Sequence, residues 1–493
     1  MKQKRKSKYS AKRKLRLQDI LNFNGSIRIP VSESVPLAEE VRMIIDTQGF
    51  QRLRGVRQLG PTHFIYPGAI HTRFEHSLGT YALSLRYVEA LLAQEDFYNF
   101  SQNAADMSKL LIASALLHDI GHYPFSHLIE EIGPLPGVSL KRHEERAESL
   151  ILNSEIRSVI EEHWKINPHD VCRAIKGSGL QDGFAVIDSA LSGVLDLDKM
   201  DYLIRDSVHC GVNFGFALDI GRFLAGLRID IKNSCICLNT KAESYIPTLI
   251  TVRNLMYNEV YWHKTVRASG AMIKTLIYRL SELNVFKENE LTQLLSSQDD
   301  RFAFRLSELA KTANKGRLSP LAAPFIFKGR GLFKMIYVFG MSVANGKPNA
   351  KRFFSDNLLR DQIPPSEYLM QAKSLETAIR AFRPKLEAGD ILLESTPVKL
   401  GHETFDLENM RLLDERIGKF VKPSYDLGAA DDLLDNSRRV FVFCHPDRAD
   451  ICRNLKKKEW EIIFHRATLG LHKLNRARKK GKRERNPSLT HGA

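Results

Sequence analysis

From Arg73 the chain places Phe74, Leu78, Tyr81, Leu85, Val88 and Leu92 three or four positions apart. That is the period of an amphipathic helix, and the spacing predicts one running to about Leu92. His76 stands off this stripe, in line with Thr80, Leu83 and Tyr87 on a second, partly apolar face. Leu110–His118 is apolar at nearly every position and reads as a short helix buried on all sides, broken by Gly121 and Pro124. Residues 17–40, punctuated by Gly25, Pro30 and Pro36, are expected to be irregular, with helix beginning near Leu37. Residues 105–225 read as helices with Gly and Pro breaks. Leu227–Asn239 alternates on both sides of Lys232–Ser234, a hairpin signal. A long helical stretch follows, about Tyr245–Asn284. Lys334–Phe339, Ile391–Glu394 and Arg439–Cys444 are short β-like runs among helical segments. The expected architecture is mainly α: a helical body over 17–325 with a small β-hairpin, a C-terminal α+β region over 326–465, and basic tails over 1–16 and 466–493.

A chain of 493 residues is too long for one core, and 43% apolar with 26% charged residues is ordinary for a globular protein, which excludes wholesale disorder. No window approaches the ~18 apolar residues of a membrane helix, and the basic N-terminus is not followed by an apolar run. No membrane association is expected. Six cysteines are too few for a disulfide scaffold. Cys235 and Cys237 read as packing positions on a strand, and a reducing cytoplasm is the expected location. The tails contribute +9 and +8 of the net +16, which leaves the body at −1. Such tails read either as solvated ends or as a non-specific hold on nucleic acid or another polyanion. Gly340…Gly346-Lys347 is one residue too long for a phosphate-binding loop, and Pro348 replaces the Ser or Thr. Gly329-Arg-Gly331 lacks the third glycine of a dinucleotide turn.

The informative stretch is Leu116-Leu-His118-Asp119-Ile-Gly-His122-Tyr-Pro-Phe-Ser-His127. A carboxylate and an imidazole at the end of a buried helix are costly without a charge partner. A divalent cation would supply one. Arg73-Phe-Glu-His76, Lys141-Arg-His143-Glu144 and Asp196-Leu-Asp198-Lys-Met-Asp201-Tyr202-Leu-Ile-Arg205-Asp206 offer complementary groups.

These residues carry a resemblance. The order H…HD…D is the signature of the HD superfamily of metal-dependent phosphohydrolases. Phe50-Gln-Arg-Leu-Arg54, Gln58-Leu59-Gly60, Pro67-Gly-Ala69, Arg73-Phe-Glu-His-Ser-Leu-Gly79, His118-Asp-x-Gly-His-x-Pro-Phe-Ser-His127, His143-Glu144 and Asp198-Lys-x-Asp-Tyr202 extend it. Together they resemble the dGTPase-like deoxynucleoside triphosphate triphosphohydrolases. The resemblance covers about Ile45 to Lys264 and implies a helical HD-domain core.

The resemblance implies metal ligation by His76, His118, Asp119 and Asp198, with a divalent Mn, Fe, Mg or Zn ion. It implies hydrolysis of deoxynucleoside triphosphates to deoxynucleoside and triphosphate. His127 and His143 match histidines that handle the proton for the leaving 5′ oxygen, with Glu144 orienting His143 and His122 near the phosphates. Arg73, Lys199 and Arg253 match phosphate contacts. Gln58, Leu59, Tyr202 and Asp206 match residues holding the deoxyribose, Asp206 accepting from the 3′-hydroxyl. Tyr261 and His263 align beside sugar and base, although Tyr257 replaces a family His. Asp46, Gln51 and Arg54 fall where some relatives, which are homo-oligomers, bind an activating nucleotide. Asn22-Phe-Asn-Gly-Ser26 departs from the Asp-Pro-x-His-Gly pattern of that site. The alternative within the superfamily is a phosphodiesterase or nuclease acting on nucleic acid or a signalling nucleotide.

Overall fold

The computed structural model describes residues 14–100, 103–132, 135, 140–177, 185–287, 289–325, 331–340, 350, 353–354, 365–396, 411–424 and 438–485, with backbone alone at 99–100, 365–366 and 475–485. Most of the N-terminal basic tail and residues 341–347 lie outside them.

The segment expected to be irregular forms instead a helical turn at Leu17–Ile20 and then a hairpin, β1 (Phe23–Ile29) and β2 (Glu33–Ala38), paired antiparallel. Phe23, Gly25, Ile27 and Ile29 alternate with polar neighbours, a period of two that the Gly and Pro punctuation obscures. Pro36, opposite Ser26, is tolerated because this two-stranded ribbon leaves one edge of each strand unpaired.

Helix α1 (Arg73–Leu92) starts at Thr72, whose hydroxyl accepts from the Glu75 amide. Helix α2 (Ala104–Leu117) is capped by Asn103 and ends at His118. The one-turn α3 (His127–Glu130) and α4 (His143–Leu152) follow. Helix α5 (Leu197–Cys210) is capped by Asp196 and closed by Gly211 at φ 69°. The predicted hairpin forms as β3 (Leu227–Asp230) and β4 (Cys235–Asn239). The long helical stretch divides into α6 (Tyr245–Met256) and α7 (Lys264–Glu282), separated by a π turn. The three β-like runs are strands, β5 (Lys334–Gly340), β6 (Ile391–Ser395) and β9 (Arg439–Cys444), in one sheet of order β5-β9-β6. Helix α8 (Pro365–Arg380) lies between β5 and β6 in sequence. Strands β7 (Leu412–Asp414) and β8 (Lys419–Val421) extend the sheet of the β3–β4 hairpin through a parallel β4–β7 pair. The last helix, α9 (Lys457–Arg485), carries the basic segment expected as a tail from 466, so its backbone is helical to Arg485. Among the described residues no helix is long and apolar enough to cross a membrane.

Two hydrophobic cores result. The first gathers α1, α2, α5 and α6 around Tyr81, Tyr87, Leu111, Leu116, Leu203 and Ile250. Each fully buried Leu or Ile there contributes ~1.5–3 kcal/mol. The second packs α7 against the three-stranded sheet, α8 and α9 through Ile273, Leu276, Leu375, Leu393, Val442 and Phe464. Residues beyond 325 therefore share the second core with the apolar face of α7. The segment Phe125–Ile132 also belongs to the second core. The seam between the cores is sealed by a buried charge group. Arg267 and Lys274 of α7 bind Glu131, both at 2.9 Å, and Glu394 of β6. Two cations and two carboxylates compensate one another there. The candidate site opens at this seam.

Candidate metal-dependent active site

The first wall is built by α1, the end of α2 and α5. His118 caps α2, and its Nδ1 lies 2.9 Å from the Ala115 carbonyl. His76 Nδ1 lies 2.8 Å from Asp201 Oδ2. Both Nδ1 partners accept, so both Nδ1 atoms carry protons and both Nε2 atoms present lone pairs. Those two Nε2 atoms are 3.2 Å apart. Asp198 Oδ1 is 2.9 Å from His76 Nε2 and 3.4 Å from His118 Nε2. Asp119 approaches both rings at 3.5 Å. Two facing imidazole lone pairs between two carboxylates repel unless a proton or a cation lies among them. Two imidazoles and two carboxylates suit a divalent first-row ion or Mg²⁺. Protons otherwise take that place. Burial disfavours a charged His76 ring, but Asp198, Asp201 and Asp119 outweigh it and push its pKa up to about 10. At Asp119 burial is likewise outweighed, by Arg73, His118 and His122, which hold the carboxyl well below its usual range.

The ligands are held from behind. Arg205, fully buried, donates to both oxygens of Asp201 (2.8 and 2.9 Å), to Glu75 Oε1 (2.8 Å) and to the Pro30 carbonyl (2.8 Å). A Cβ at Gly79 would sit 2.0 Å from Arg205 Nη2 and 2.3 Å from Asp201 Oδ1, so α1 approaches this pair only with glycine there. Asp201 thus fixes the tautomer and the aim of His76. Asp201→Asn is expected to weaken divalent-ion binding ~10–100-fold without removing a ligand. A competition titration with a fluorescent chelator checks this, and unchanged affinity would refute the supporting role.

The second wall carries His122, His127, Glu130 and His143, whose ligand-capable atoms cluster within 4.8 Å. Phe125 and Ser126 are both non-glycine residues at positive φ, 57° and 53°. Each such position costs ~1–3 kcal/mol. The turn is held by the Phe125 amide donating to buried Asp299 (2.9 Å), by Ser126 donating to the Arg57 carbonyl (2.9 Å), and by Arg73 donating to Ser126 (3.0 Å). It brings α3 round so that His127 faces His143. Gly121 is needed for the same closure, because a Cβ there would lie 1.9 Å from the His143 carbonyl.

Glu144 was expected to orient His143. The nearer carboxylate is Glu130, at 3.1 Å, with Glu144 at 3.5 Å and also engaged with Arg142. Glu130 also reaches His127 Nδ1 at 3.2 Å, so one carboxylate serves both histidines. Burial disfavours charge on His143, but Glu130, then Glu144 and Asp119, raise its pKa to about 9. His122 goes the other way. Burial, Arg73 and His143 push its pKa down to about 4, so it is neutral and holds Asp119 Oδ1 at 3.0 Å while stacking on His143. The protonated His143 predicts a pH–rate profile whose alkaline limb lies near 9, with Glu130→Gln moving it down toward the ordinary imidazole value of ~6.5. Because the folded-state pKa is raised, the stability in this pair is complete below ~6.5 and is lost as pH rises through about 9. A limb unmoved by Glu130→Gln would refute the assignment.

Between the walls lies a cavity of about 460 Å³. Gln58, Leu59, Arg73, Lys199, Tyr202, Asp206, Arg253 and Tyr261 line it, as do His118, Asp119, Asp198, His122, His127, His143 and Glu144. His76 is fully buried behind this surface. Arg73 donates to Asp119 Oδ2 at 2.7 Å, Lys199 pairs with Asp196, and Arg253 lies over the Tyr257 ring at 5.3 Å. Gln58 Oε1 is buried without a hydrogen-bond partner among the described residues. His263 is not brought into the lining. It caps α7 and meets the Tyr66 ring edge-on at 6.0 Å. Asp46, Gln51 and Arg54 are not in the cavity lining; Arg54 donates to Gln51 at 2.8 Å and covers the Phe74 ring. Sequence reading assigned no role to Glu130, Asp201, Arg205, His71 or Asp299. Glu130 follows His127 by three positions and Arg205 follows Asp201 by four, so helical spacing could have found those two. Nothing local announces Asp299.

Residues 73–203 match the HD domain family, so the chain carries an HD domain. An uncharacterized protein of Methanocaldococcus jannaschii is 33% identical over 262 residues, 52% of this chain and 51% of that protein. The deoxynucleoside triphosphate triphosphohydrolase SAMHD1 of Homo sapiens is 32% identical over 279 residues, 51% of this chain and 43% of that protein. The chain thus spans about half the length of the curated relatives it matches. A crystal structure of a hypothetical protein from Aquifex aeolicus shares the fold with a TM-score of 0.62 and 23% identity, covering 87% of this chain and 98% of that one.

Proposed function

We propose that this HD-domain protein is a metal-dependent phosphohydrolase that cleaves deoxynucleoside triphosphates to a deoxynucleoside and triphosphate. The observation that carries the reading is the juxtaposition, across one cavity, of the His76–His118–Asp119–Asp198 cluster with the His127–Glu130–His143 group. His76, His118, Asp119 and Asp198 would hold a divalent cation, which would supply Lewis-acid polarisation of a phosphoryl oxygen. The chain's own residues do the rest. Arg73, Lys199 and Arg253 bring positive charge to a polyanion that the near-neutral body would not otherwise attract. The Glu130-held His143, with His127 beside it, stores a proton at neutral pH for the departing 5′ oxygen. Leu59 and Tyr202 crowd the sugar's 2′ position, while Gln58 Oε1 and the Asp206 carboxylate offer acceptors to its 3′-hydroxyl. The similarity to SAMHD1 supports the same substrate class.

The test is parallel turnover of each dNTP and its ribonucleotide with Mn²⁺. The reading expects a preference for the deoxy form of roughly 10²-fold, shrinking in Tyr202→Ala. Equal use of both sugars would overturn the sugar assignment.

A further inference from the structure

The start of α1 and the length of α5 are joined by a ladder of charged pairs. His76 meets Asp201 and Asp198, and Glu75 meets Arg205 and His209 (2.9 Å). His71 meets Asp206. The first rungs support the metal cluster. The last rung has no such duty, yet it is the most enclosed. His71 Nε2 lies 2.8 Å from Asp206 Oδ1, and the two residues are 3% and 1% exposed. The other carboxylate oxygen of Asp206 accepts from Tyr261 Oη at 2.7 Å. Asp206 is therefore gripped at both oxygens, and it still lines the cavity.

The surroundings of His71 narrow its role further. Its ring stacks on His209 at 4.2 Å and 17°, which fixes the ring plane. Its Nδ1 is buried with no hydrogen-bond partner among the described residues, so the Asp206 bond is the ring's one recorded polar contact there. Its carbonyl accepts from the Gln58 amide at 3.0 Å, which ties the same residue to a second sugar-end side chain. A buried imidazole with one polar contact, on a carboxylate facing the cavity, is an aiming device. The Nε2–H takes one lone pair on Oδ1 and Tyr261 takes one on Oδ2. The remaining lone pairs are left for a donor within the cavity.

We infer that His71 is a positioning residue that presents the Asp206 carboxylate to the substrate's 3′-hydroxyl, and so makes the site demand that hydroxyl. The inference rests on reading the cavity as a deoxynucleotide site. Its consequence is a selectivity against nucleotides lacking the 3′-hydroxyl, because an Asp206 fixed at both oxygens cannot turn to another donor, and its cavity-facing lone pairs would stay unfilled.

The experiment compares a dNTP with its 2′,3′-dideoxy counterpart on the full chain with Mn²⁺, for wild type, His71→Ala and His71→Gln, with melting curves for each. Wild type should favour the 3′-hydroxyl substrate. His71→Ala should lose ~10-fold or more in kcat/KM for the dNTP, carried by KM, with the dideoxy substrate changing by less than about threefold, so the ratio collapses. His71→Gln, which keeps an N–H near the position of Nε2, should restore most of the ratio. Equal losses on both substrates, or an unchanged ratio in both variants, would overturn the inference. Should His71→Ala not fold, the His71→Gln ratio, set against that of His71→Leu, decides by the same criterion. Absence of wild-type turnover on every dNTP would instead overturn the substrate reading, so the two failures are distinct.

Discussion

Asp119→Asn lowers turnover by roughly 10³-fold or more, the several kcal/mol a divalent ion supplies to a phosphoryl transition state. The expectation follows from how many contacts meet at this carboxylate. It approaches His76 and His118 at 3.5 Å, takes Arg73 at 2.7 Å and holds the neutral His122 at 3.0 Å. Substitution with asparagine keeps the shape and removes the charge. It weakens the candidate ion site, frees Arg73 from its partner and unseats the ring stacked on His143. Single-turnover kinetics with bound metal measured in the same samples check this. A variant that keeps its ion and loses less than tenfold in rate would show that Asp119 has a structural role only.

Arg205→Met gives the largest loss of stability, about 3–5 kcal/mol, because removing one member of a buried ionic group strands the others. Arg205 is fully buried and satisfies Asp201, Glu75, the Pro30 carbonyl and Ser32. Without it two carboxylates beside the Gly79 contact lose their cation, and the first hairpin loses its anchor to α5. Denaturant unfolding checks the figure. A loss under ~1 kcal/mol would mean the pair is solvated and the ladder adds little. The same variant should also bind divalent ions more weakly, since Asp201 then no longer holds His76 firmly.

The helices that carry the site were legible because their periodicity is strong. Arg73–Leu92 and the buried α2 stand where the apolar spacing put them. The cluster at their ends was legible too, since a charged pair closing an apolar helix asks for a partner. What escaped were relations among distant segments. The first hairpin was hidden because Gly25 and Pro36 read as breakers, whereas pairing across the ribbon tolerates them. The resemblance pointed to Glu144 beside His143, whereas the turn at Phe125 and Ser126 brings Glu130 nearer still. Glu394 and Asp299 reach the site across more than a hundred residues, and neither sits in a pattern that marks it. His71 carries no mark in the local sequence. Its meaning depends on α5 lying alongside α1, which only packing decides.

The central claim concerns what the cavity cleaves and where. The most direct measurement is product identity: each dNTP incubated with the protein and Mn²⁺, products resolved by anion exchange, with a His118→Ala/Asp119→Ala protein as control. The account predicts equal amounts of deoxynucleoside and triphosphate from the intact protein and neither from the control. Orthophosphate or pyrophosphate as the first product, or turnover surviving in the control, would contradict it.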